Sequence, residues 1–232
     1  TSIKSYSRYA PIPETLEDRV LSLFNNSTAR YKSFCSVLAR LNSVWQLCLS
    51  PAVLQSIEKL GLENSTIPTM PVFHIMGEKI KIKDGYYGIS AHQDWTSMQG
   101  SLDSIVAWMP LTKITTKTNP IEIIPSSHLQ GLLPSKQLPG SNEVLLDKQL
   151  EDQFVPVECE PGDIILFSTF LVHRSSHNSD SSIRLASSLR FENLDNARYA
   201  DEGYPTVYTR GVNRKTLDTD VVKRSEVLSI FK

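Results

Sequence analysis

From about Thr69 the sequence turns into short β-branched runs, each closed by a turn signal, and this pattern limits the chain to a sandwich or a barrel. The runs are Met70–Ile75, Lys79–Lys83, Ser104–Leu111, Ile121–Ile124, Phe154–Val157, Ile164–Phe170 and Ile183–Phe191. Asp84-Gly85, Asn119-Pro120, Pro139-Gly140 and Pro161-Gly162-Asp163 punctuate them. The first sixty residues read instead as helix. Leu16, Val20, Leu23 and Phe24 form one apolar stripe behind Pro13, and Phe34, Val37, Leu38, Leu41, Val44, Trp45 and Cys48 form a second. A third helix carries Ser50 as N-cap, Pro51 at N1 and Gly61 just past its end, with Val53, Leu54, Ile57 and Leu60 to bury. The expected fold is mainly β with flanking N-terminal helices, in one domain over 1–232: a helical flank over 1–65, a barrel core over 66–192 and a C-terminal tail over 193–232. That tail is either plain surface or a lid whose Tyr199, Tyr204 and Tyr208 cover a pocket mouth. Its last apolar residues, Val221, Val222, Val227, Leu228, Ile230 and Phe231, are expected to dock back.

Composition removes several function classes. With 232 residues, 40% of them hydrophobic, the chain has enough apolar surface for a core and is not a disordered segment. Its 24 Lys+Arg against 25 Asp+Glu give a net charge of −1, so no overall basic field draws it to nucleic acid or to an anionic membrane. A small molecule is the expected partner; oligomeric state is not legible. No apolar run approaches the roughly 18 residues of a membrane span. Cys35, Cys48 and Cys159 are an odd set without CxxC spacing, which suits free thiols in a reducing compartment. We expect a cytoplasmic protein with bare sequons at Asn25, Asn26 and Asn64, and a chain that starts at Thr1 after loss or omission of an N-terminal piece.

The chemistry rests on a few polar residues. His92-Gln93-Asp94 sets two potential ligands at i and i+2, which share a face on an extended strand. His173 closes the apolar run Ile164–Val172 and can supply a third. Two histidines and one carboxylate on one face, with open positions opposite, form the facial triad of non-haem Fe(II) oxygenases. Arg184 falls inside the run Ile183–Phe191, where alternation separates Arg184, Ala186, Ser188 and Arg190 from Ile183, Leu185, Leu189 and Phe191. A guanidinium on that small, polar face could hold a carboxylate bidentately, or could pair with Glu192 or another acid.

With those residues in place, the segments AHQDW, GSLDSIVAWMPLT, IEIIPSSHLQG and EPGDIILFSTFLVHRSSHNSDSSIRLASSLRF resemble the phytanoyl-CoA dioxygenase-like (PhyH) family over about residues 85–192. The resemblance implies a double-stranded β-helix, a jelly-roll or cupin-like barrel, and a dioxygenase that uses Fe(II), 2-oxoglutarate and O2. It implies His92, Asp94 and His173 as catalytic metal ligands. It assigns Arg184 to the far carboxylate of 2-oxoglutarate, Ser175 of the H-x-S-x-x-N run as its helper, and Gln93 and Trp108 to the co-substrate's surroundings. The implied reaction is hydroxylation or another oxidation of a C–H bond in a small, polar metabolite, releasing succinate and CO2. Asp94 keeps the carboxylate that halogenating relatives lack. One departure is Asn119-Pro120-Ile121-Glu122, where the family often has N-G-A-L/I.

His128 reads as structural or as a support to a ligand, and His177 yields to His173 as the ligand. His74 faces core or cavity, and Gln99 stands in a similar position. Two other readings keep the barrel: a metal- or sugar-binding cupin-like module with no use for Arg184, and a metal-dependent hydrolase or isomerase with Glu122 as its base.

Overall fold

The computed structural model describes residues 15–82, 88–138, 141–176, 182–209 and 219–231. Thr15 caps the first helix, α1 (Leu16–Asn26), by accepting a bond from the Asp18 amide, and Glu17 and Asp18 add negative charge to its first turn. Ser27 ends α1 and caps α2 (Thr28–Leu38). The apolar stripe from Phe34 to Cys48, read as one helix, is two. Leu41 takes an extended conformation and α3 (Asn42–Cys48) begins after it. The break lets α2 and α3 cover different ground: Tyr31 packs with Val20 of α1, while Val44 and Cys48 pack on the sheet. Helix α4 (Pro51–Lys59) has Pro51 in its first turn, and Gly61 follows it at φ +96°.

The strands follow as β1 (Ser65–Thr66), β2 (Val72–Met76), β3 (Ile105–Pro110), β4 (Ile121–Ile123), β5 (Ser135–Leu138), β6 (Ser141–Val144), β7 (Val155–Val157), β8 (Ile165–Ser168), β9 (His173–Ser175) and β10 (Arg184–Asn193). The larger sheet runs β1-β10-β3-β8 with β2 also paired to β10, and the smaller runs β7-β4-β9. All of these pairings are antiparallel. Short helices α5 (Trp95–Met98), α6 (Lys148–Glu151), α7 (Ala197–Asp201) and α8 (Arg224–Ile230) fill the connections and the tail.

Strand β10 divides the molecule. On its outer side Leu189 and Phe191 join Ile105, Ala107 and Met109 of β3 and bury against Val44, Cys48, Val53 and Ile57 of α3 and α4. On its inner side Ala186 joins Val106, Trp108, Ile121 and Phe167 in a second core between the sheets. The expected barrel with helices on one flank is therefore present, as a jelly roll.

Three local readings differ from the sequence expectation. Lys79–Lys83 is not a strand. A 3₁₀ turn over Glu78–Ile80 buries Ile80 with Val20 and Tyr31, and Lys83 lies outside the described residues. The run Ile164–Phe170 stops at Ser168. The chain then turns, with Leu171 N–H bonding back to Ser168 C=O and Phe170 stacked on Trp95, so that His173 opens β9 in the other sheet. β5 and β6, not expected as strands, pair antiparallel, and the turn read at Pro139-Gly140 lies outside the described residues. In the tail Val222 and Val227 are buried with Trp95, Leu102 and Phe170, so the end of the chain docks back as expected. All three cysteines are free, and Cys48 and Cys159 are buried.

Candidate metal centre

The smaller sheet gains a fourth member where His92 bridges His173 through reciprocal N–H···O=C bonds of 2.9 and 3.1 Å. This pairing sets the two imidazoles side by side, ring centres 4.1 Å apart. One residue later the chain leaves the extended form. Asp94 has φ −63° and ψ −30° at the start of α5, which swings its carboxylate back toward the rings. Ligand atoms of His92, Asp94 and His173 lie within 4.8 Å of one another, and all three residues are buried.

Both histidines are oriented by their own backbone. His92 Nδ1 faces the carbonyl of Ser90 at 2.8 Å, and His173 Nδ1 faces that of Leu171 at 3.0 Å. A carbonyl only accepts, so Nδ1 carries the proton in each ring and the Nε2 lone pair is left to point at the centre. These are the partners that metal-ligating histidines need. Burial and the adjacent His92 ring pull His173 down to a pKa of about 3, so it stays neutral, as a ligand must. Burial acts to raise the Asp94 carboxyl, but Arg190 and the two histidine rings outweigh it and hold the group well below the usual range. The donor set is thus two imidazole nitrogens and one ionised carboxylate, which fits a divalent first-row metal.

The inner faces of the two sheets enclose a cavity of about 30 Å³ beside this triad. His74, Trp108, Phe167, Ser175, Arg184, Ser188 and Arg190 line it together with His92 and His173. Their alternation is that of the strands: His74 lies opposite Ala186, and Trp108 opposite Ser188. Arg184 is buried, donates to the Asn119 carbonyl at 2.6 Å and to the Met76 sulfur at 3.0 Å, and sits over Trp108 with its carbon 5.7 Å from the ring centre. Its alternative partner is out of reach: Glu192 lies about 27 Å further along the strand and meets Ser101. Ser175 accepts from the Ile89 amide at 3.2 Å. Gly88, at φ +84°, lets that segment approach, since a Cβ there would stand 2.8 Å from the Ser175 Cβ.

Several expected residues sit elsewhere. Gln93 points away from the cavity. Its amide nitrogen donates to Gly131 and Phe170 carbonyls and its oxygen accepts from Leu133, so it braces the loop and does not line the co-substrate's surroundings. Gln99 is buried at the end of α5 and is not a cavity residue. His128 packs edge-on against Phe231. Among the tail tyrosines, Tyr199 is buried against Tyr204, Tyr208 is exposed, and none lines the cavity. Glu122 pairs with Arg174 at 2.6 Å, both one residue out of phase with His173 and Ser175, which leaves the hydrolase reading without its base. His177 lies outside the described residues.

The residue missed as a participant is Arg190, whose Nε and Nη2 reach Asp94 Oδ2 at 3.1 and 2.8 Å. The alternation that singled out Arg184 also put Arg190 on the cavity face; the missing information was that α5 turns Asp94 toward it.

Residues 17–186 match the family described as phytanoyl-CoA dioxygenase (PhyH). A probable phytanoyl-CoA dioxygenase of Caenorhabditis elegans is 31% identical over an alignment of 123 residues that covers 50% of this chain and 37% of that protein. Among solved structures, the apo form of the non-haem monooxygenase ThoJ superposes with a TM-score of 0.57 at 18% identity, over 96% of this chain and 89% of that one. The epimerase SnoN, solved with Fe3+, alpha ketoglutarate and nogalamycin RO, gives 0.53 at 19% identity, over 66% and 59% of the two chains. These two likenesses establish the jelly-roll fold. The family match spans well over half of the sequence and includes all three metal-site residues, and the chain belongs to the phytanoyl-CoA dioxygenase (PhyH) family.

Proposed function

We propose that this chain is an Fe(II)- and 2-oxoglutarate-dependent oxygenase that oxidises a C–H bond of a small, polar metabolite, releasing succinate and CO2. The observation that carries the reading is the convergence of His92, Asp94 and His173 beside Arg184 on one inner face. His92 Nε2, one Asp94 oxygen and His173 Nε2 would hold the iron, which with 2-oxoglutarate supplies the activation of O2. Arg184 would take the far carboxylate of 2-oxoglutarate as a bidentate partner, assisted by the Ser175 hydroxyl. Trp108, whose ring centre lies 5.7 Å from the guanidinium carbon, supports the charge from one side. Phe167, edge-on to His173 at 4.9 Å, helps exclude water from the centre.

The cavity holds about one water as it stands, so co-substrate entry must widen it. The contact suited to yield is Arg184 with Met76, because a thioether is a weak acceptor and a carboxylate a strong one. A polar substrate agrees with the polar groups that His74, Ser175 and Ser188 add to a lining shared with Val106, Ile121 and Phe167, and with the near-zero net charge, which gives no field for a polyanionic thioester.

Calorimetry on Co(II)-loaded protein tests the reading. Wild type is expected to bind 2-oxoglutarate, and Arg184→Leu to weaken binding by about 2–4 kcal/mol, the range for a lost charge-assisted pair. Equal affinity in the two proteins would remove Arg184 from the site.

A further inference from the structure

Asp94 Oδ2 receives two N–H donors from Arg190 and stands 3.9 Å from His173 Nε2, while Oδ1 receives none from Arg190 and faces His92 Nε2 at 3.5 Å. The third arm of the guanidinium is also held: Nη1 donates to Ser188 Oγ at 3.0 Å, and that hydroxyl meets His74 Nε2 at 2.9 Å. Arg190, Ser188 and His74 are all buried; Ser188 and Arg190 share the inner face of β10, and His74 lies opposite Ala186 on the neighbouring β2, so the guanidinium is held on each of its arms. On these contacts, and resting on the oxygenase reading above, we infer that Arg190 is a positioning residue that caps one oxygen of Asp94 and leaves the other as the single oxygen offered to the ion. The consequence concerns the co-substrate. An uncapped carboxylate can turn both oxygens onto a divalent ion and fill a position that a chelating 2-oxo acid needs. Arg190 keeps that position open, and its positive charge beside the site favours a dianionic ligand.

The test compares Co(II)-substituted wild type with Arg190→Met, reading the visible absorption of the ion, its 2-oxoglutarate affinity and the melting temperature of the metal-free protein. Arg190→Met is expected to retain Co(II) but to show a weaker, shifted band, as a higher coordination number gives. It should bind 2-oxoglutarate at least about tenfold more weakly, the scale on which partners of metal ligands act. A purely structural role would lower the melting temperature and leave band and affinity in place, and that result overturns the inference. If Arg190→Met does not fold, Arg190→Gln keeps one donor and carries the same comparison: an altered band supports the cap, and a wild-type band overturns it. Wild type that binds neither Co(II) nor 2-oxoglutarate overturns the oxygenase reading and this inference together. Wild type that binds both, matched by Arg190→Met, overturns the inference alone.

Discussion

Glu192 is fully buried two residues beyond Arg190, with Oε2 bonded to the Ser101 amide and hydroxyl at 2.6 and 2.9 Å and Oε1 without a hydrogen-bond partner among the described residues. Burial pushes its pKa up to about 8, from about 4.5 in the open chain. The folded protein therefore holds this proton after the unfolded chain has released it, and folding loses stability as pH rises between those two values. Melting temperature should fall from pH 5 to pH 8, and Glu192→Gln should flatten that fall; parallel curves would remove Glu192 as the cause. Gly100 belongs to the same knot, because a Cβ there would stand 2.2 Å from the Glu192 carboxyl carbon. With that carboxyl unable to move into solvent, Gly100→Ala should destabilise by roughly 1–3 kcal/mol in urea titration, as overpacking does. The departure in this loop begins at Pro120, which stands where the family often has glycine. Asn119 before it keeps the family's asparagine, takes φ +52°, a region asparagine tolerates, and offers its carbonyl to Arg184.

At the scale of elements, the helices that cover β10 and β3 depend on burial more than on caps. Ser50 makes no side-chain cap bond at α4, whereas Ile57 is buried in the contact with the sheet. Ile57→Ala should cost about 2–4 kcal/mol of unfolding free energy, and Ser50→Ala much less. A reversed order would mean that α4 is held by its end. Short β-branched runs closed by turn signals made β3, β4, β7 and β10 legible in the sequence, and alternation separated the faces of β10 correctly from Arg184 to Phe191. It failed where tertiary contacts decide. Nothing local marks the extended Leu41 that splits α2 from α3. The run Ile164–Val172, apolar but for Ser168 and Thr169, reads as one strand although the chain leaves one sheet after Ser168 and enters the other at His173. The 3₁₀ turn at Glu78 reads as a strand because one turn and one strand can both bury a single isoleucine.

For the whole molecule, the antiparallel topology turns scattered sequence positions into a centre. Residues 92, 94, 173 and 184 come from two sheets and the start of a helix; the pairing of His92 with His173 gathers the three ligand residues, and Arg184 lines the same cavity. Residue types and family resemblance were enough to nominate them. Which oxygen of Asp94 is free, and what Gln93 braces, required the fold. The bent stretch Thr28–Leu38 with Asn42–Lys59 is apolar enough to resemble a broken span, yet its apolar side is the one that packs on the sheet, and no single helix among the described residues is long and apolar enough to cross a membrane. The most direct measurement is an anaerobic titration of the metal-free protein with Fe(II) and then 2-oxoglutarate, following the visible charge-transfer absorption of the chelate. The expected result is a band in wild type that is absent in Asp94→Ala and weakened in Arg184→Leu. Wild-type protein that holds Fe(II) but develops no band on adding 2-oxoglutarate would contradict the oxygenase function.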